Sequence, residues 1–167
     1  MKTIDELMYY CEEPEPVGAV LLTGEWGCGK TYLIDNELKE ALKDKAHVIR
    51  ISLFGITTIE GIHMAIKQAW ISEYNKDKKW TGVVKKAKWG KEIAGKLDFL
   101  PEWIRGIATT DWLSFVEIKN VIEEKHVVLV FDDLERCCLD TVDVLGAIND
   151  YCENQKFHTI IVANQDK

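Results

Sequence analysis

The sequence predicts a three-layer α/β domain with a mainly parallel central sheet flanked by helices. Three observations carry this. Apolar runs that read as strands, Val17–Leu22, His47–Phe54, Val127–Phe131 and Phe157–Ala163, alternate with segments of helical periodicity. The run Val127-Val128-Leu129-Val130-Phe131 is apolar at every position, as expected of a parallel strand covered on both faces. A glycine-rich loop, Gly24-Glu25-Trp26-Gly27-Cys28-Gly29-Lys30-Thr31, joins the first run to a helical pattern that starts at Tyr32.

The N-terminal segment opens with Thr3-Ile4-Asp5-Glu6, which reads as a capping box with Thr3 as the cap and Glu6 as its partner. Ile4, Leu7, Met8 and Cys11 share one helical face, and Pro14 and Pro16 end the helix. Tyr9 and Tyr10 are read chiefly as packing residues, with stacking on a nucleotide base as the alternative. The helix after the glycine loop is expected to reach Lys43 or Lys45. Gly55 closes the second strand, and Thr57 with Glu60 suggests another capping box. Ile59, Ile62, His63, Ile66 and Ala69 follow at helical spacing, with His63 read as packing.

The glycine loop fits G-x-x-x-x-G-K-[ST], the phosphate-binding pattern, in its required strand–loop–helix context. Phosphates need many short-range donors. Backbone N–H groups supply them where glycines keep side chains away, and the following helix N-terminus adds unpaired N–H groups and partial positive charge. Gly24, Glu25, Trp26, Gly27, Cys28, Gly29, Lys30, Thr31 and Tyr32 are therefore the expected nucleotide contacts. Lys30 is assigned to the β- and γ-phosphates and Thr31 to Mg²⁺.

Composition bounds the class. With 167 residues, 47% hydrophobic and 29% charged, the chain suits one soluble globular domain, taken as residues 1–167. A net charge of −7 argues against general nucleic-acid coating. No signal peptide and no apolar run of membrane-spanning length is visible, and the five cysteines show no zinc spacing. A cytoplasmic location with reduced thiols is expected. Cys28 differs from the other cysteines by lying inside the phosphate loop, where its oxidation would disturb nucleotide binding.

From about 74 to 111 the pattern changes. Eight lysines between Lys76 and Lys96 face only Asp77 and Glu92, with Trp80 and Trp89 interleaved. This reads as an inserted helical segment. Its plain reading is a solvated basic helix packed by its tryptophan side; its functional reading is a surface for an anionic lipid, nucleic acid or acidic partner.

The apolar run Val127–Phe131 ends in Asp132-Asp133-Leu134-Glu135-Arg136. Acids at the carboxyl end of such a strand lie where parallel sheets place ligands. Asp132 fits the Mg²⁺-directed acid, and Asp133 is placed to orient or deprotonate an attacking water. Glu135 and Arg136 read first as a local ion pair. Leu139, Val142, Leu145, Ala147, Ile148 and Tyr151 are expected to form the buried face of the next helix. Asn164, at the tip of the last strand, is a candidate for holding the water in line.

Gly24-Glu25-Trp26-Gly27-Cys28-Gly29-Lys30-Thr31 together with Val128-Leu129-Val130-Phe131-Asp132-Asp133-Leu134-Glu135-Arg136 resembles the KAP family of P-loop NTPases. The tryptophan in the loop and the double acid followed by Leu-x-Arg carry the resemblance, which spans about Val17 to Asn164. It implies an additional-strand, AAA-like core, an ATPase cycle with ATP and Mg²⁺, and an Asn164 similar to a first sensor residue. It also implies a family insertion between the two motifs, where 74–111 falls, and a role in bacterial anti-phage defence or signalling. The lid domain of AAA-like relatives is expected to be absent from this chain.

The leading expectation is an Mg²⁺-dependent ATPase with Lys30, Asp133 and Asn164 as catalytic residues and Thr31 and Asp132 on the metal. A homo-oligomer or protein partner is allowed for. The alternative is a nucleotide-gated switch with negligible turnover, acting through a partner-binding surface. A small-molecule kinase ranks third, since Arg50, Arg105 and Arg136 are the only arginines available for a mobile lid.

Overall fold

The computed structural model describes residues 2–76 and 126–164, apart from the side chains of residues 71 and 74–76. The chain divides into two units, Met1–Ala65 with Ile122–Lys167, and Ile66–Val121. The first holds every strand described below. Of the second, only 66–76, the later part of one helix, is described. Most of the lysine-rich segment expected at 74–111 therefore lies outside the described residues.

The elements of the first unit are α1 (Thr3–Glu12), β1 (Val20–Gly24), α2 (Lys30–Tyr32), a π-helical stretch (Leu33–Leu38), α3 (Lys39–Leu42) and β2 (Ala46–Ser52). Then come α4 (Ile59–Lys76), which runs on into the second unit, and β3 (His126–Asp132). A 3₁₀ turn (Leu134–Arg136), α5 (Thr141–Asn149), a π-helical stretch (Asp150–Asn154) and β4 (His158–Asn164) complete the order.

The four strands form one all-parallel sheet in the order β1-β4-β3-β2. The three-layer α/β expectation holds. β4 stands between the strand that feeds the glycine loop and the strand that ends in Asp132, which is the additional-strand arrangement. The crossover from β1 to β2 travels one way along the sheet, and those from β2 to β3 and β3 to β4 travel back. Right-handed crossovers then place α2–α3 on one face and α4 and α5 on the other.

On the first face, Leu7 and Cys11 of α1 and Ile34, Leu38 and Leu42 pack on Leu22, Val48, Val128, Val130, Ile160 and Val162. On the second, His63 Nδ1 lies 2.5 Å from the Tyr151 hydroxyl, joining the start of α4 to the π-helical stretch after α5. His63 is thus a packing and hydrogen-bonding residue. Val127 to Phe131 are all at most 8% exposed. At about 1.5–3 kcal/mol for each fully buried aliphatic side chain, β3 is the strand on which both layers depend.

Tyr10 ties α1 to the sheet. Its hydroxyl donates to Gly18 O at 2.7 Å and accepts from Thr159 N–H at 2.8 Å. Burial drives its hydroxyl well above the usual phenol range. Beside it, burial lowers the pKa of His158, whose ring nitrogen lies 3.0 Å from Glu13 O.

Several local expectations shift. The N-cap of α1 is Lys2, whose backbone N–H donates to Asp5 Oδ2 at 3.0 Å. The shorter acid one residue earlier closes the box in place of Glu6. β1 starts at Val20, not Val17, because pairing begins opposite Ile160 on β4, and Val17 is fully exposed. Its Leu21 is 58% exposed, so β1 is covered on one face only among the described residues. β2 stops at Ser52, and the chain turns through Gly55 at φ +72°. Ile56 O accepts from Cys138 N–H at 2.9 Å, which carries the helix start to Ile59 and makes Thr58 the cap, donor Gly61 N–H at 3.0 Å. In α5 the buried face is Val144 and Ile148, continued by Tyr151 and Cys152; Val142 and Leu145 are exposed. Asp140 caps α5 through Val142 N–H and sets that phase.

Candidate functional site

The carboxyl ends of β1, β3 and β4 converge on a cavity of about 320 Å³. Its walls include Trp26, Gly27, Gly29, Lys30, Thr31 and Tyr32 from the glycine loop and following helix, Asp132, Asp133, Glu135 and Arg136 after β3, and Asn164 at the tip of β4. Residues far apart in sequence meet there because parallel strands deliver their ends to one edge of the sheet.

The loop is shaped by backbone chemistry. Gly27 and Gly29 sit at φ +80° and +93°, a conformation that L side chains rarely adopt. Left-handed residues alternating with ordinary ones turn successive N–H groups toward a common concavity, an anion-binding nest. Gly24 serves a different need: a Cβ there would lie 2.9 Å from Cys28 Sγ. Gly24, Glu25 and Cys28 do not line the cavity. Cys28 is exposed, with Sγ 3.8 Å from Lys30 Nζ.

Lys30 is the hub. Its ammonium donates to Gly24 O at 2.8 Å, Glu25 O at 2.9 Å and Asn164 Oδ1 at 2.8 Å. Three N–H groups thus meet three acceptors. Asn164 is held from its other side by Glu135, which accepts from the side-chain Nδ2 and, at 3.3 Å, from the backbone N–H. The carboxylate fixes the orientation of the amide, amino side to Glu135 and oxygen to Lys30. Glu135 therefore partners Asn164 and not its neighbour Arg136. Arg136 lies 3.6 Å from Asp133 and stacks over Phe54, 4.4 Å from the ring centroid.

Asp132 is buried, and both its oxygens are engaged. Oδ1 accepts from Asp133 N–H at 2.9 Å. Oδ2 accepts from Thr31 Oγ1 at 3.3 Å and from Arg50 Nη1 at 3.0 Å. The first contact joins residues 101 apart in sequence. The two metal candidates thus present a hydroxyl and a carboxylate oxygen side by side at the cavity wall. Mg²⁺ typically takes one or two protein oxygens and completes its shell with phosphate and water, so this donor pair fits it. Among the described residues no group of three or more His, Cys, Asp or Glu is placed to hold a metal by itself.

Asp133 has φ 61° and ψ 38°, a left-handed conformation. Such a residue stores about 1 kcal/mol or more and tends to sit at functional sites. It is held there by Ser52 Oγ, which donates to Oδ2 at 2.9 Å, and by Arg136 N–H, which donates to its carbonyl at 2.9 Å. Tyr9 and Tyr10 do not line the cavity.

Ser52, Arg50, Asp35 and the Glu135–Asn164 contact were not assigned from sequence. One signal for the first two was present: Arg50 and Ser52 interrupt the apolar residues Val48, Ile49 and Ile51 of the second strand. A charge at such a position needs a partner.

Among the described residues no helix is long and apolar enough to cross a membrane. A family model described as the KAP family P-loop domain matches residues 1–167, the whole chain. No curated protein matches it.

Proposed function

The chain belongs to the KAP family of P-loop NTPase domains, and from that premise we propose that it binds ATP with Mg²⁺ and hydrolyses the β–γ bond. The observation that carries this reading is the convergence of Lys30, Thr31, Asp132, Asp133 and Asn164 on one cavity. The Gly27–Gly29 nest and the start of α2 bind the phosphate chain. Lys30 turns from the carbonyls of Gly24 and Glu25 toward the β- and γ-phosphates. Thr31 and Asp132 would hold Mg²⁺, which would supply charge neutralisation at the phosphates. Asp133, oriented by Ser52, positions the attacking water and accepts its proton. Asn164, oriented by Glu135, contacts the γ-phosphate side once Lys30 has released its oxygen. Trp26 and Tyr32 are exposed on the cavity wall, where their rings are available to a nucleotide. A place in bacterial anti-phage defence or signalling rests on the family alone.

The test is phosphate release from ATP by the purified chain in Mg²⁺, measured beside ATP binding on the same sample. Turnover that stops in EDTA supports the ATPase. Binding with no turnover, alone or with candidate partners, identifies a nucleotide-gated switch instead.

A further inference from the structure

Arg50 lies mid-strand in β2, paired in register with Val130 of β3. It does not line the cavity. It reaches the cavity wall from outside, through Asp132. Its Nη1 donates to Asp132 Oδ2 at 3.0 Å, the same oxygen that accepts from Thr31. Its Nε lies 3.1 Å from Asp35 Oδ2, and Asp35 Oδ1 is in turn 3.0 Å from Lys39 Nζ. Asp35 and Lys39 belong to the helical stretch that follows the glycine loop, so this chain of charges connects that stretch to the acid at the end of β3.

The consequence is electrostatic. A guanidinium is a permanent cation. Bonded to Asp132 Oδ2, it draws charge from the oxygen nearest the Thr31 hydroxyl and repels a second cation placed there. An ionised carboxylate only accepts, so its outer-shell partners are donors, and a cationic donor lowers its basicity more than a neutral one. Arg50 is such a cationic donor. Asp35 opposes it by drawing the guanidinium toward the π-helical stretch after α2.

We propose that Arg50 is a positioning residue that holds down the Mg²⁺ affinity of the Thr31–Asp132 pair, and that Asp35 sets how strongly it does so. The proposal rests on the Mg²⁺·ATP reading of the cavity. It makes metal loading sensitive to the helix behind the phosphate loop: any shift that separates Asp35 from Arg50 weakens the metal site.

The experiment titrates free Mg²⁺ against binding of a fluorescent ATP analogue to the whole chain, with Mn²⁺ binding by electron paramagnetic resonance as a second readout. Arg50→Gln lowers the half-saturating Mg²⁺ by roughly tenfold, opposite in sign to the affinity loss that follows removal of a supporting outer-shell partner. Asp35→Asn raises it, since the guanidinium then turns wholly to Asp132. The double variant follows Arg50→Gln. Arg50→Lys keeps the charge and stays near the parent value, which covers the case in which Arg50→Gln does not fold. A damaged scaffold would move both single variants in the same direction, so opposite signs are the diagnostic result. An unchanged or raised half-saturation in Arg50→Gln, or an Arg50→Lys variant that gains affinity, overturns the proposal while the metal reading stands. A parent chain whose nucleotide binding ignores Mg²⁺ overturns the metal reading and this inference together.

Discussion

Lys30→Ala is expected to abolish ATP binding, raising the dissociation constant at least about 100-fold. On the proposed reading the lysine would give charge-assisted hydrogen bonds to two phosphates, each worth roughly 1.5–3 kcal/mol, and 1.4 kcal/mol is a factor of ten. Among the described residues that line the cavity, the one other lysine or arginine is Arg136, which already engages Asp133 and Phe54. The substitution also removes the bonds to Gly24 O, Glu25 O and Asn164 Oδ1. These lie at a half-exposed loop, whereas the core is built on β3 and β4, so folding is retained. Calorimetric titration with ATP, beside a thermal melt of the same variant, checks both halves. Near-parental affinity in a folded Lys30→Ala chain would remove the lysine from its assigned role.

Asp133→Asn is expected to separate binding from chemistry. Turnover falls by about 10²–10⁴, the usual contribution of a positioned general base, while ATP affinity stays within about threefold. The substitution suits the question because asparagine tolerates the left-handed conformation that Asp133 adopts at φ 61°. Its amide oxygen still accepts from Ser52. The change therefore removes basicity with little strain. Single-turnover phosphate release and equilibrium binding make the comparison. Undiminished release would mean that another carboxylate accepts the proton, and Glu135, two residues on and bonded to Asn164, would be the next to vary.

The fold was legible because its signals are local. An unbroken apolar run such as Val127–Phe131 can only be a covered strand or a buried helix segment, and its β-branched content and length decide for strand. The glycine loop was legible because the backbone geometry it needs leaves glycines at fixed spacing. Phase and caps were less so. Val142 and Leu145 look as apolar as Val144 and Ile148, and it is the Asp140 cap that selects which pair turns inward. Likewise, Thr57 has Glu60 at capping-box spacing and Thr58 has only Gly61, yet the turn through Gly55 and the Ile56–Cys138 bond make Thr58 the cap.

Within the site, each candidate residue was visible alone, and its partners were not. Asp132 sits beside a recognisable acid, but its contacts are Thr31 and Arg50, 101 and 82 residues away. Glu135 has an arginine as its sequence neighbour, which suggests a local pair. The parallel register of β3 and β4 instead brings Asn164 to it. Pairings of this kind follow from strand order, and the order β1-β4-β3-β2 is a property of the whole sheet that no single segment encodes.

On the proposed reading the cavity at the ends of β1, β3 and β4 is a site for Mg²⁺·ATP. Calorimetric titration of the unmodified chain with ATP, once in Mg²⁺ and once in EDTA, is the decisive experiment. Saturable binding of one ATP per chain is expected, tighter in Mg²⁺ than in EDTA. A folded chain that gives no saturable binding in Mg²⁺ would contradict it.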